Sequence, residues 1–225
     1  MDDIVRQALA KWPNVPACFG WLMLDRRGGW RMRDEAVQRA NGLGSPVRHA
    51  ALIAFIVRNY DVDEQGQWFF QNGPQRVYIE LEYTPFVVRL ARSNSGADKA
   101  SPLTLTDQTG AQWEPETCWT DDQGAVLFSG RAIGDAGTGT ADAHVRVAVL
   151  HDHDLDLFAD YMDESPEQHV TAHPSSTDAL AQGASHFTWR PDKALMIGTL
   201  PANQVAGRFG FVASPAQRTE QIEHR

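Results

Sequence analysis

Cysteine is nearly absent. Cys18 and Cys118 are the two in the chain, and neither belongs to a Cys-x-x-Cys motif. One potential pair is thin support for an oxidising compartment. Long apolar runs are missing as well: none approaches membrane-spanning length, and Met1-Asp2-Asp3 has the wrong charge to open a secretory signal. The expectation is a cytoplasmic protein with no membrane partner. Positive charge is also short, with 20 Lys and Arg against 29 Asp and Glu, a net charge of −9. The densest basic stretch, Arg26, Arg27, Arg31 and Arg33, sits around one turn. Binding to nucleic acid through its phosphates needs a positive surface, so that class is set aside.

Complete catalytic motifs are lacking too. There is no Gly-x-Ser-x-Gly, no His-Glu-x-x-His and no dinucleotide fingerprint in a βαβ setting. Gly134–Thr140 has the glycine spacing of a phosphate loop but no lysine, and a strand is expected after it where a phosphate site needs a helix. Asp61–Gly66 resembles the opening of a calcium loop, yet its twelfth position is Asn72 rather than Glu. Cys18 beside Phe19 and Cys118 beside Trp119 read as small core residues without a base at hand. No catalytic residue, metal ligand or cofactor is assigned, and the reading leans away from an enzyme.

What is present is ordinary globular composition, 42% hydrophobic and 22% charged, with tryptophan favoured: seven Trp against four Tyr. Large rings spread along the whole chain predict repeated core anchoring. The pattern Asp-x-x-Gly recurs at Asp25…Gly28, Asp63…Gly66, Asp107…Gly110 and Asp121…Gly124, with Trp30, Trp68 and Trp113 shortly after the first three. Each reads as a type I turn closed by a glycine of positive φ, the aromatic then anchoring the returning strand.

Along the chain, residues 2–12 predict a helix stopped by Pro13, and Cys18–Leu24 with Trp30–Arg33 a β-hairpin. Pro46–Tyr60, capped by Ser45, predicts the strongest helix, so apolar all round that it should be buried between layers. Strands follow at Gln67–Phe70, Arg76–Tyr83 and Phe86–Leu90. The polar stretch Ser93–Ser101 marks a boundary. Beyond it come strands at Leu103–Thr106, Gln112–Trp119, Ala125–Phe128 and around Val145–Val149, then a helix at Asp154–Met162. Arg131–Ala143 reads as an exposed loop and Glu164–His186 as a polar connection with a short helix at Asp178–Gln182. Phe187–Trp189, Leu195–Leu200 and Phe209–Val212 supply the last strands. The fold expected is α+β, with antiparallel, strand-rich sheets built from repeated hairpins around a buried helix, in two related halves. Its parts are an N-terminal subdomain (1–92), a C-terminal subdomain (102–215) and a frayed tail (216–225).

His151-Asp152-His153-Asp154 leaves a strand and enters a helix. Two histidines at i and i+2 on extended backbone point to one side, which suits a divalent metal and a metal-assisted hydrolase. The plainer alternative has Asp152 or Asp154 capping the helix, with the histidines on the surface. Alternation in 76–83 turns Arg76, Tyr78, Glu80 and Glu82 away from Val77, Ile79 and Leu81. With nearby Trp68, the residues Arg76, Tyr78 and Glu80 form the candidate ligand-binding surface, an aromatic beside paired charges on one sheet face. An ordinary solvated face is the competing reading.

The text from Trp68 to Phe86, with the Asp25…Trp30 hairpin and the helix at 46–60, resembles a group of uncharacterised proteobacterial proteins classed only as domains of unknown function. The likeness is strongest over residues 19–90. It implies an α+β fold with repeated motifs, a second half matched by 103–162 and 187–212, and a role in signal transduction without a known ligand. No functional residue transfers. The function expected is a non-enzymatic regulatory or sensory protein binding a small molecule or a protein partner, with a homodimer compatible. A metal-dependent hydrolase using His151, Asp152 and His153 is one alternative, and a structural interaction protein is the other.

Overall fold

The computed structural model describes residues 1–93, 103–133, 146–163 and 185–218. Gly134–Thr140, the short helix at 178–182 and most of the loops expected at 93–101, 131–143 and 164–186 lie outside them. The chain forms two compact units, one of Met1–Pro85 with the segment from Ala206 onward, the other running from Phe86 to Val205 among the described residues.

The first unit opens with α1 (Asp3–Lys11), which carries an acid in its first turn and a base in its last, as the helix dipole favours. β1 (Cys18–Leu24) and β2 (Trp30–Met32) are the predicted antiparallel hairpin. α2 (Glu35–Arg39) starts on Asp34, whose carboxylate accepts the Val37 N–H. β3 (Ser45–Pro46), α3 (Ala50–Arg58), β4 (Tyr60–Val62), β5 (Trp68–Asn72) and β6 (Gln75–Leu81) follow, and the strands lie in the order β3-β2-β1-β6-β5-β4. On one sheet face the register aligns Trp30, Leu24, Leu22, Ile79 and Val77, with Phe70 beyond.

The helix expected from Pro46 begins later and is not buried. Ser45 and Pro46 extend an edge strand against Met32 and Arg31, a position that tolerates proline's missing N–H. The cap is His49, whose Nδ1 accepts the Leu52 N–H. α3 lies against the sheet through one face, with Phe55 edge-on to Phe70 at 5.3 Å between ring centres. Ile56 is its one buried residue, and Ala50, Ala51, Leu52 and Ala54 are exposed. A helix apolar all round needs cover on every side to be buried, and this one receives it on one side only.

The second unit contains β7 (Phe86–Arg92), β8 (Leu103–Asp107), β9 (Gln112–Thr120), β10 (Val126–Ala132) and β11 (Arg146–Leu150). Neighbours pair antiparallel from β7 to β11, and β11 returns parallel to β7, closing a barrel. Closure leaves these strands no open edge. α4 (Leu155–Ala159), β12 (Met162–Asp163), β13 (His186–Arg190) and β14 (Lys193–Thr199) complete the unit, with β14 parallel to the end of β9. Phe86 meets Trp113 in one aromatic contact, and Phe128, Phe158 and Phe187 form a second cluster.

The fold is mixed α+β and strand-rich, but its sheets are mixed rather than antiparallel, because β1–β6, β7–β11 and β9–β14 run parallel. Parallel neighbours are joined by long crossovers, which hairpin signals do not report. The strand predicted at Phe209–Val212 is instead α5 (Val205–Phe209) followed by a single parallel bridge from Val212 to Gln67. Trp30, Trp68, Trp113 and Trp189 are core anchors as expected, whereas Trp12 and Trp21 are open to solvent. No described helix is long and apolar enough to cross a membrane.

The four Asp-x-x-Gly turns share one construction. In each, the Gly N–H donates to the Asp carbonyl, and the Asp N–H donates to the carbonyl four residues on. The Asp carboxylate accepts the N–H groups two and four residues ahead. The glycines have φ between 78° and 88°. The four aspartates are buried, each with its backbone donors in place.

Candidate functional site

The junction of β11 and α4 gathers the most chemistry. The His151 N–H donates to the Val88 carbonyl at 2.9 Å, which fixes His151 at the end of β11, only 7% exposed. The chain then makes a 3-10 turn, Asp152–Asp154. The plainer sequence alternative holds only in part: His153 is exposed and Asp154 stands at the N-cap position of α4. The cap of this turn is His151, whose Nδ1 accepts the His153 N–H at 3.1 Å, and His151 is not a surface residue.

Asp154 makes no capping bond. It reaches β7, where its carboxylate accepts Arg89 Nε at 2.6 Å, Arg89 Nη2 at 2.9 Å and the Leu90 N–H at 3.0 Å. Burial alone would raise its pKa, but the Arg89 guanidinium and the Leu90 N–H outweigh it and hold the carboxyl below its ordinary value. At His151, burial and then the charge of Arg89 push the imidazole below the ordinary histidine value, which favours the neutral ring.

Around that ring, Asp152 Oδ1 lies 3.0 Å from His151 Nδ1, and the His151 and His153 ring centres are 4.8 Å apart. The ligand atoms of His151, Asp152 and His153 all fall within 4.8 Å of one another, with His151 buried and the other two exposed. The structure thus brings together the three residues singled out for metal chemistry.

It does not bring together Trp68, Arg76, Tyr78 and Glu80. Arg76, Tyr78 and Glu80 share a face of β6, but Trp68 belongs to the opposite face, beside Tyr60 at 4.8 Å between ring centres. Tyr78 and Glu80 do not point into solvent either. The Tyr78 ring stacks on Phe19 at 4.7 Å, and its hydroxyl donates to Asp63 Oδ2 at 3.1 Å. Burial and the Asp63 carboxylate raise the Tyr78 pKa, overcoming the opposing influence of Arg76. Glu80 accepts the Ser214 hydroxyl and the Ala216 N–H. Arg76 is exposed and lies over the Phe69 ring. The cover over Glu80 comes from the segment after α5, which returns to β6 from more than 130 residues away, and that over Tyr78 from Phe19 of β1. Local alternation carries no trace of such a return.

Two features escaped the sequence reading. Gln71 is fully buried in β5, its amide N–H donating to the Gly73 carbonyl while its Oε1 has no partner. The second is the open side of α3. Its signal was in plain sight, since Ala50-Ala51-Leu52-Ile53-Ala54-Phe55-Ile56-Val57 is apolar on every side and the sheet can cover only one.

Comparison with solved structures finds two DUF1285 family proteins. The one from Silicibacter pomeroyi DSS-3 is 13% identical, with a TM-score of 0.47, over 91% of this chain and 98% of that one. The one from Shewanella baltica OS155 is 12% identical, with a TM-score of 0.39, over 63% of this chain and 91% of that one. No curated protein matches the sequence. The profile of the DUF2944 family, described as "Protein of unknown function (DUF2946)", matches residues 1–216. The resemblance to an uncharacterised domain-of-unknown-function family therefore holds, and the chain belongs to this family.

Proposed function

We propose that the chain works by binding a protein partner rather than by catalysis, that the partner seats on the open side of α3, and that a second copy of the chain fills this place. One observation carries the reading: Ala50, Ala51 and Ala54 fall on one side of the helix, away from the buried Ile56, and all three are exposed. Exposed apolar surface that is organised on one element, rather than scattered, is a feature of interaction sites.

The chemistry of the face suits self-association. The helix contains no acid, and its single base, Arg58, donates to the Asp2 carboxylate. Two copies related by a two-fold axis would therefore set no unneutralised like charge on this helix against its mate. Alanine side chains also let two helix axes approach closely. A regulatory or sensory role in the cytoplasm belongs to this proposal, a dimer being a ready way to couple two copies to one signal.

Sedimentation of the purified chain tests it. The wild type is expected to show a concentration-dependent dimer over the micromolar range. Ala51→Glu and Ala54→Glu, both at solvent-facing helix positions, should give monomer with the melting temperature unchanged. A wild type that stays monomeric throughout, or glutamate variants that dimerise as well as the wild type, overturns the proposal.

A further inference from the structure

We propose that Arg33 anchors a binding site for one small oxyanion, the carboxylate or phosphate group of a small molecule. The inference concerns the end of β2 and does not rest on the α3 reading.

The carrying observation is a buried cation without a counter-charge. Arg33 is 4% exposed and is the one buried Lys or Arg among the described residues. Several exposed arginines have carboxylate partners: Arg58 meets Asp2, Arg89 meets Asp154, Arg92 meets Asp160 and Arg131 meets Glu116. Arg33 has none among the described residues. Its Nε donates to the Gly42 carbonyl at 2.9 Å and its Nη2 reaches Asn41 Oδ1 at 3.4 Å, both neutral acceptors. A guanidinium keeps its charge at any ordinary pH, and a buried charge is costly unless an opposite one is paired with it. Neutral oxygens and water satisfy its donors without cancelling that charge. The acids nearest in sequence do not cancel it either. Asp25 accepts Arg31 Nε at 2.6 Å, Asp34 is exposed and accepts the Val37 N–H as the cap of α2, and Glu35 is exposed.

The surroundings hold the side chain in place and leave one part of it open. The Arg33 N–H donates to the Trp21 carbonyl of β1, and the Arg33 carbonyl accepts the Gln38 amide. The turn that ends α2 brings the Gly42 carbonyl over Nε, fixed by bonds from Asn41 N–H to the Gln38 carbonyl and from Gly42 N–H to the Val37 carbonyl. Gly44 passes so close that a β-carbon there would lie 2.9 Å from Arg33 Cγ. A cation clamped in this way is organised before any ligand arrives. Its Nη1 meets no acceptor among the described residues. The fully enclosed side-chain polar atoms without a partner among those residues are Gln71 Oε1 and Arg190 Nε, so Arg33 Nη1 still touches solvent. An oxyanion placed there accepts the Nη1 donors and supplies the missing negative charge, and the planar fork suits carboxylate and phosphate oxygens. The net charge of −9 repels a long polyanion, which favours a small ligand.

Nuclear magnetic resonance titration of the full chain at low ionic strength tests the site. Inorganic phosphate and acetate are the two probes, and sodium chloride at matched ionic strength is the control for screening. In the wild type, the Arg33 Nε–H and the amides of Leu43 and Gly44 are expected to shift saturably with phosphate, acetate or both, but not with sodium chloride. A response to phosphate alone assigns a phosphate group and one to acetate alone a carboxylate, and either result supports the proposal. Arg33→Lys keeps the charge but loses the fork, so it should weaken binding at least tenfold with the native circular dichroism retained. Arg33→Met removes the charge and should abolish binding, but it also removes the bond to Gly42, so Arg33→Lys is the decisive variant. The proposal is overturned by a wild type that shows no saturable shift with either probe. Equal shifts with sodium chloride overturn it as well, and so does unchanged affinity in Arg33→Lys, which would place the anion on another group.

Discussion

Gly66 and Gly110 stand at the same place in two Asp-x-x-Gly turns, with φ of 78° and 88°. The sequence makes them equivalent, but their surroundings do not. A β-carbon at Gly110 would meet nothing within 4 Å, whereas one at Gly66 would come within 2.1 Å of the Gly210 carbonyl oxygen. Gly110→Ala should therefore cost only the left-handed backbone penalty, about 1–2 kcal/mol. Gly66→Ala adds a collision with main chain that cannot be relieved by rotating a side chain, so it should cost well beyond that. Chemical denaturation of the two variants checks the order, and equal losses would contradict it. Turn chemistry was thus legible at single residues, down to which glycine needs positive φ, though not the two N–H groups that each aspartate carboxylate accepts. The crowding at Gly66 was not, because its neighbour arrives from the far end of the chain.

Elements were legible where the signal was local. β1 is found at its predicted bounds, and α1 within a residue of them, because alternation and helix-stop chemistry act over a few residues. α3 was placed too early and too deep, since a proline at a helix start and a proline on an edge strand look alike until the partner strand is known. At the candidate site, the proximity of His151, Asp152 and His153 follows from sequence adjacency, while the latch from Asp154 to β7 does not. That latch carries a prediction. Asp154→Ala leaves the buried Leu90 N–H without its acceptor, which costs about 1–3 kcal/mol. Arg89→Ala should cost less, since Arg89 is more than half exposed and its charge is screened by solvent. The pH dependence has a definite sign. The folded-state pKa of Asp154 lies below the ordinary 3.8, so its stabilisation is complete above that value and is lost as pH falls through the folded pKa. Thermal melts from pH 7 downward should show a part of the acid destabilisation, beginning below about pH 4, that is absent in Asp154→Asn.

For the molecule as a whole, the decisive fact is that the first unit is discontinuous: the chain leaves it after Pro85 and rejoins it at Ala206. The returning segment supplies the Ala213 carbonyl to the Leu81 N–H at 2.8 Å, sends the Val212 N–H to the Gly66 carbonyl at 2.9 Å, and gives Glu80 its two donors. A surface that would otherwise offer Glu80 to a ligand is thereby turned into interior. Glu80→Ala should loosen this return, because the Ser214 hydroxyl and the Ala216 N–H lose their acceptor. Hydrogen exchange then has a local expectation. The amides of Leu81 and Val212 should exchange faster, while those of the closed barrel, whose strands bond to one another around the ring, keep their protection. Uniform acceleration through both units would mean that they open together, and unchanged exchange at Leu81 and Val212 would mean that Glu80 does not hold the segment down. The local outcome follows from where the hydrogen bonds run: the side-chain bonds of Glu80 tie the returning segment to the first sheet, and neither of them reaches a barrel strand.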